Sequence, residues 1–299
     1  MLTDSRGGLL AFVHGNWYLI VCDPWTRQYR ELRFPWGQPV GNPGDRKCWY
    51  NCLGVFILDA GDGDGDENSS LMSSFSVLCV CLIKDEMDAT TTAEACVFSA
   101  RDNDWIRCTV SSDVYTDVSL SIMDNDQRFV GRAGGSIFFT VNHGHVLLVL
   151  DEATSVFSTI PLPLAPDNVY NLYVDRENLR IVNGGAGTLV CIVRLVDDDL
   201  EVLKVTRAHH GGWECMVERS VGLCQLANIE FRADRSWRFL DTTTAVVATL
   251  VLGAFSPSST LLFSLDVLTM KLQPANKMTT TLNAKQVFPY ELPWPHIIK

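Results

Sequence analysis

The stretch Val146–Pro161, VLLVLDEATSVFSTIP, reads as an apolar strand, a short polar turn and a second strand. The turn begins at Asp151 and reaches Thr154, and the aromatic residue Phe157 follows shortly after it. An Asp at the start of such a turn can accept hydrogen bonds from the backbone N–H groups two and three residues on. A β-branched Thr favours extended backbone at the start of a returning strand. The stretch therefore predicts a β-hairpin whose polar residues shape the turn.

The same hairpin pattern recurs twice, as DPWTRQY at Asp23–Tyr29 and as DVLTMKL at Asp266–Leu272. Related strands, which open with an aromatic or apolar residue, recur at intervals of roughly 50–60 residues, apart from one longer interval that holds an acidic insertion. The segments between them are short apolar runs bounded by Gly, Asp, Asn and Pro, without a helical period. This predicts an all-β, β-propeller-like fold with about five or six blades of three to four antiparallel strands. A β-sandwich, the alternative, would not explain the repeated hairpin.

The repeats run through the whole chain, which predicts a single propeller domain over residues 1–299. The first three strands are expected at Gly8–Val13, Trp17–Cys22 and Tyr29–Phe34. Between the early strands, Gly61–Ser70 reads GDGDGDENSS and contains no apolar residue that could join a core. We therefore expect a disordered acidic insertion at about residues 60–72.

Composition and charge argue against several classes of partner. The formal net charge is −11, with 35 acidic against 24 basic residues, and no basic stripe is present. This disfavours nucleic acid and anionic membrane surfaces, which both attract clustered Lys and Arg. The 10 cysteines show no C-x-x-C or Cys/His spacing typical of a metal site, which predicts buried, reduced thiols and no metal. With no signal-peptide pattern, a cytoplasmic or nuclear location is expected.

Several motifs resemble a known plant family. The opening, GGLLAFVHGNWYLIVCDPWTRQYREL at Gly7–Leu32, resembles the start of the plant F-box-associated propeller domain. The segment FVGRAGGSIF at Phe129–Phe138 and the closing YELPWP at Tyr290–Pro295 are similar to members from grasses. The resemblance implies a kelch-like or F-box-associated propeller that recognises the substrates of a Skp–cullin–F-box ubiquitin ligase.

The chain departs from that family because its first predicted blade begins near Gly8, which leaves no room for a helical F-box ahead of it. Docking to a Skp-type adaptor and cullin is therefore expected only if an upstream F-box exists. We expect a non-enzymatic protein-interaction module with an unknown target protein and no cofactor. The alternative is a propeller-fold hydrolase or small-ligand-binding protein that uses the central face.

The predicted binding residues lie in loops between the second and third strands of the blades, which open on the face where ligands usually dock. They are His14, Asn16, Asn142, His143, His145, Asp197 and Asp198. Their imidazoles and carboxylates could also suit a metal ion, but each blade would supply a different ligand, so no metal site is predicted. No catalytic residue is predicted, because no nucleophile motif accompanies the pair His209–His210. Trp25, inside a turn, is the tryptophan most expected to be exposed.

Overall fold

The protein is described here from a computed structural model. The described residues are 2–14, 18–35, 48–58, 71–85, 91–111, 128–141, 146–163, 178–184, 190–207, 213–229, 236–240, 249–256 and 259–274. Within them, the strands form five antiparallel sheets of four strands each, and every sheet is a simple meander in chain order. Each sheet has the architecture of a β-propeller blade.

The strands are numbered in chain order. Blade 1 contains β1 (Leu2–Arg6), β2 (Leu9–His14), β3 (Tyr18–Asp23) and β4 (Gln28–Arg33). Blade 2 contains β5 (Cys48–Leu58), β6 (Ser76–Asp85), β7 (Thr91–Ser99) and β8 (Asp104–Ser111). Blade 3 contains β9 (Arg128–Ala133), β10 (Ser136–Val141), β11 (Val146–Asp151) and β12 (Phe157–Pro161). Blade 4 contains β13 (Leu179–Asn183), β14 (Val190–Val196), β15 (Asp199–Arg207) and β16 (Trp213–Gly222). Blade 5 contains β17 (Ser236–Phe239), β18 (Thr249–Ser256), β19 (Ser259–Asp266) and β20 (Lys271–Pro274).

The all-β prediction is confirmed, with five blades of four strands. The expectation of a three-stranded first meander is wrong, because β1 precedes it. This strand was missed because it is mostly polar. Its Asp4 is nevertheless buried, and the carboxylate accepts hydrogen bonds from the backbone N–H groups of Ile57, at 2.7 Å, and Ser5, at 2.9 Å. A buried carboxylate is tolerated where such donors satisfy it.

In the described segments, two short helices accompany the strands: α1 (Leu71–Ser74) and α2 (Leu223–Ala227). The predicted acidic insertion at about 60–72 lies outside the described residues up to position 70, and Leu71 and Met72 belong to α1. In the described parts of the chain, neither helix could cross a lipid bilayer.

The chain divides into two compact units. One comprises Met1–Ile122 with Pro289–Lys299, and the other comprises Met123–Phe288. Blades 1 and 2 belong to the first unit, and blades 3 to 5 belong to the second. Each is described separately.

The core of the first unit lies between blades 1 and 2. Alternate residues of the strands are buried there, as the period-two pattern of a sheet requires. The buried set is Leu9, Ala11, Leu19, Val21, Leu32, Phe34, Val55, Ile57, Phe75, Val77, Cys79, Phe98 and Ala100.

Two side chains hold the fourth strand of blade 1 against the outer part of blade 2. Arg30 donates to the Ala100 carbonyl at 3.2 Å and to Asn103 Oδ1 at 2.5 Å, and its guanidinium lies 5.3 Å from the Phe98 ring centroid. In the other direction, Trp105 Nε1 donates to the carbonyl of Arg33 at 2.9 Å. The contact therefore combines cation–π attraction with directional hydrogen bonds.

The second unit repeats this arrangement. One apolar cluster joins blades 3 and 4, and another joins blades 4 and 5. Trp213, which opens β16, donates from Nε1 to Ser158 Oγ of β12 at 3.1 Å. Trp105 and Trp213 therefore play the same part: each lies at the start of a fourth strand and donates a hydrogen bond to the fourth strand of the preceding blade.

The predicted Asp turns are confirmed in blades 1, 3 and 5. Asp151 Oδ1 accepts hydrogen bonds from the N–H groups of Ala153, at 3.1 Å, and Thr154, at 2.8 Å. Asp23 and Asp266 make the equivalent bonds. The Thr lies within the turn and does not open the return strand as expected. A residue with positive φ follows it in each case, namely Arg27, Ser155 and Met270.

The turn at Asp266 should be visible in a titration. Its pKa is lowered, first by the backbone N–H and then by the hydroxyl of Thr269, with smaller contributions from Leu268 and Lys271. Because the pKa is depressed on folding, the stabilisation is present above the unfolded-state pKa and disappears as the pH falls through the folded value. We expect Thr269→Val to raise the pKa of Asp266 towards its ordinary value in an NMR titration. Unchanged titration would contradict a role for the hydroxyl.

Candidate functional site

The predicted binding residues that the structure describes lie where second strands connect to third strands, in blade 1 and blade 4. His14 is the exposed last residue of β2 and pairs across the sheet with Tyr18. Asp197 and Asp198 form the tight turn between β14 and β15, and Asp197 adopts a φ of 54°. The Asp198 carbonyl accepts a hydrogen bond from Leu223 N at 2.8 Å, which fixes this turn against α2.

The remaining predicted residues, Asn16, Asn142, His143 and His145, lie outside the described residues. Asp197 and Asp198 are neighbours in one turn, and His14 belongs to the other compact unit. In the described segments, no group of three or more His, Cys, Asp or Glu side chains is arranged to hold a metal ion.

The buried cysteines have the character expected of reduced core thiols. Cys79 and Cys96 are directly opposite each other on β6 and β7, both are buried, and both are free thiols. Burial, followed by the neighbouring thiols, raises the pKa of Cys79 well above its ordinary value. A thiol held neutral in this way is a poor nucleophile.

Exposed apolar side chains are concentrated on the fourth strands and the turns before them, where the sequence analysis predicted no binding site. Of the exposed large hydrophobic residues in the described segments, most lie on a fourth strand or in the connection leading to it. These are Trp25, Tyr29, Ile106, Val156, Met216, Val217 and Leu268. Fourth strands are edge strands of their sheets, so their outward surface is open to a partner.

The most aromatic part of this surface belongs to blade 1, and we call Trp25, Arg27, Tyr29 and Arg33 the aromatic edge. Trp25 is 62% exposed and Tyr29 is 71% exposed. Tyr29 and Arg33 alternate with Leu32, whose side chain faces the core shared with blade 2, so they project from the opposite face of β4. Exposure of Trp25 is as predicted, whereas Tyr29 was taken only as a marker of the repeat.

A groove forms where the turn between β19 and β20 of blade 5 meets blade 4, within the second unit. It encloses about 130 Å³. It is lined by Gly184, Cys191, Val202, Lys204, Glu218, Arg219, Val267 and Leu268. We call it the blade 4–5 groove. It has an apolar floor and a charged rim, which is the usual composition of a small binding pocket.

Comparison with known proteins adds little beyond strand arrangement. No known family matches the sequence, and no curated protein is significantly similar to it. Among solved structures, oligogalacturonate lyase in complex with manganese is similar at a TM-score of 0.41 and 7% identity, over 92% of this chain and 63% of that one. The WD40 domain of SCAP from fission yeast gives a TM-score of 0.42 and 8% identity, over 97% and 59%. The β-propeller domain of the trilobed protease from Pyrococcus furiosus gives 0.34 and 7%, over 92% and 83%.

The chain thus spans about three fifths of the length of the first two proteins. At these levels of similarity, neither the lyase activity nor any binding partner of those proteins carries over to this chain.

Proposed function

We propose that this protein is a non-enzymatic protein-interaction module. The observation that carries the proposal is the concentration of exposed apolar side chains on the fourth strands and their turns. Aromatic and Arg residues contribute most of the binding energy at protein interfaces, and the aromatic edge offers both kinds on one short hairpin. The strands that carry the aromatic edge are fixed by the apolar core between blades 1 and 2. Binding a partner would therefore cost little conformational entropy of the backbone.

The arginines of the aromatic edge support the same proposal. Among the described residues, neither Arg27 nor Arg33 forms an ion pair through its side chain, whereas Arg30 on the same hairpin is engaged by blade 2. An unpaired guanidinium on the same hairpin as two exposed aromatic rings can contact a partner without first breaking an internal bond. The hairpin therefore separates a structural arginine from two available ones.

In kind, we propose a substrate-recognition propeller resembling the F-box-associated domain. What supports this is the sequence resemblance together with the presence of five four-stranded blades. Recruitment of a Skp-type adaptor and a cullin would require an F-box in addition to the blades. We expect affinity purification of this chain to recover a target protein without them, and stoichiometric recovery of the adaptor would contradict that view.

The aromatic edge can be tested by substitution. A partner is first captured by in-cell crosslinking to the wild-type chain, and its binding is then measured with both proteins purified. We expect Trp25→Ser and Tyr29→Ser each to weaken binding about tenfold or more, as for an interface hot spot. Unfolding free energies should change by less than about 0.5 kcal/mol, because both side chains are exposed.

The matched control is Val156→Ser, which removes an equally exposed apolar side chain beside the turn of blade 3. It should leave binding unchanged. If Trp25 and Tyr29 can be replaced without effect while His14→Ala or Asp197→Ala weakens binding, the aromatic edge is wrong and the predicted loops carry the interaction.

A further inference from the structure

We propose that the blade 4–5 groove is a second contact site, which binds a peptide segment of the partner through an aliphatic side chain adjacent to a carboxylate. The inference rests on the proposed protein-binding function and adds the chemistry of one contact. It uses residues that the sequence motifs did not single out. The aromatic edge plays no part in it.

The groove presents two cations from neighbouring strands. Lys204 lies on β15 and Arg219 on β16, and Arg219 is directly opposite Val202, two residues from Lys204. Residues paired in this way project from the same face of the sheet. Within the described part of the chain, neither cation forms a hydrogen bond or ion pair that would have to break before a ligand carboxylate could bind.

A β-bulge produces this arrangement. The register of β15 and β16 shifts between Val202 and Leu203, so Val202 faces Arg219 while Leu203 faces Val217. Glu218 is therefore the additional residue on β16. Without the bulge, the alternation of β16 would place Glu218 and Arg219 differently relative to Val202. The bulge thus places Arg219, and not Glu218, directly opposite Val202.

The pKa of the Cys191 thiol is affected by three charged side chains that line the groove. Burial raises its pKa, Glu218 raises it further, and Arg219 and Lys204 lower it. All three charged groups are therefore close enough to act on one atom at the floor of the groove. Two cations against one carboxylate leave one positive charge, which suits a singly charged carboxylate better than a doubly charged phosphate.

The rest of the lining suits an aliphatic side chain. Val202 and Val267 are buried members of the blade 4–5 core, and Leu268 is 46% exposed at the opening. A volume of about 130 Å³ compares with the engineered cavity of about 150 Å³ that accepts benzene. One branched side chain can therefore enter, while its neighbour in sequence reaches the cationic rim.

The experiment uses the full chain and fluorescently labelled octapeptides with a neutral Gly-Ser background. Peptides carrying a central Leu–Glu pair are compared with Leu–Gln and Ala–Glu by fluorescence anisotropy. We expect Leu–Glu to bind at least tenfold more tightly than either, and Lys204→Gln with Arg219→Gln to remove the difference. Equal binding of Leu–Glu and Leu–Gln, or no effect of the double substitution, would overturn the proposal.

Two further measurements identify which chemical group of the ligand binds the cations. Peptides with the Leu–Glu pair at a free or an amidated C-terminus distinguish a terminal carboxylate from a side-chain carboxylate. Competition by inorganic phosphate as strong as that by the Leu–Glu peptide would indicate a general anion site and contradict the proposal. Bound peptide should also slow alkylation of Cys191 by N-ethylmaleimide, measured by mass spectrometry, with Cys22 as a control thiol in blade 1.

Failure here is separable from failure of the proposed function. If no peptide binds, the groove proposal is wrong, but partner binding that depends on Trp25 and Tyr29 stands. If partner binding is lost in Lys204→Gln/Arg219→Gln and kept in Trp25→Ser, the groove is the principal site and the aromatic edge is not.

Discussion

Replacement of Arg194 by methionine is expected to lower the free energy of unfolding by about 3–5 kcal/mol, the usual cost of breaking a buried ion pair from one side. Arg194 and Glu201 are opposite each other on β14 and β15, with side chains only 3% and 13% exposed. The guanidinium donates to Glu201 Oε2 from Nε at 2.8 Å and from Nη2 at 2.6 Å. It also donates to the Pro163 carbonyl of the segment after blade 3, at 2.7 Å. Methionine fills similar space but leaves both acceptors without this donor.

The double substitution Arg194→Met/Glu201→Leu isolates the cost of leaving the Glu201 carboxylate buried without its partner. Because the double substitution removes both members of the pair, it should be much less destabilising than Arg194→Met alone. Glu201→Gln keeps an acceptor oxygen and should fall between the two. All four proteins are unfolded in urea and followed by tryptophan fluorescence. Equal losses for the single and the double substitution would show that packing at Arg194, and not the stranded carboxylate, sets the cost.

The sequence predicts strands well where one side-chain face is uniformly apolar. Hairpins around Asp23, Asp151 and Asp266 combine that pattern with a turn whose hydrogen bonds are local, so a few adjacent residues suffice to specify them. Strand β1 could not be predicted in this way because its buried carboxylate, Asp4, accepts a hydrogen bond from the backbone N–H of Ile57, which is distant in sequence. A buried carboxylate looks like a loop residue until its partner is known.

Some features of the candidate sites could be predicted from the sequence and others could not. The position of the His14 and Asp197 loops between second and third strands could be predicted, because strand order follows from the repeat. The exposure of Tyr29 could not, since an aromatic in a strand usually indicates a core position. The blade 4–5 groove depends on a bulge at Glu218 and on packing between two blades, and no local pattern in β16 signals either.

The Gly131→Ala substitution is expected to cost roughly 2–4 kcal/mol, because it forces an atom into a place already filled by another strand. Gly131 lies on β9 of blade 3 and packs against β13 of blade 4. A Cβ there would lie 2.6 Å from the Ile181 Cβ, 2.8 Å from its carbonyl oxygen and 3.0 Å from its nitrogen. These contacts include backbone atoms, which no rotamer change can move. The two strands would have to separate, and the apolar cluster shared by blades 3 and 4 would open.

Gly135→Ala supplies the control, since it lies in the β9–β10 turn with a φ of +71° and nothing within 4 Å of the added Cβ. It should cost only the backbone strain of a left-handed alanine, about 1 kcal/mol. The difference between the two variants, measured by urea unfolding, therefore reports the steric cost of approach between β9 and β13. Adding Ile181→Ala to Gly131→Ala should not rescue stability, because the Cβ, the carbonyl oxygen and the nitrogen of residue 181 all remain in place. Rescue would show instead that the side-chain atoms of Ile181 beyond Cβ obstruct the new methyl group, and that the strands themselves have room to accept it.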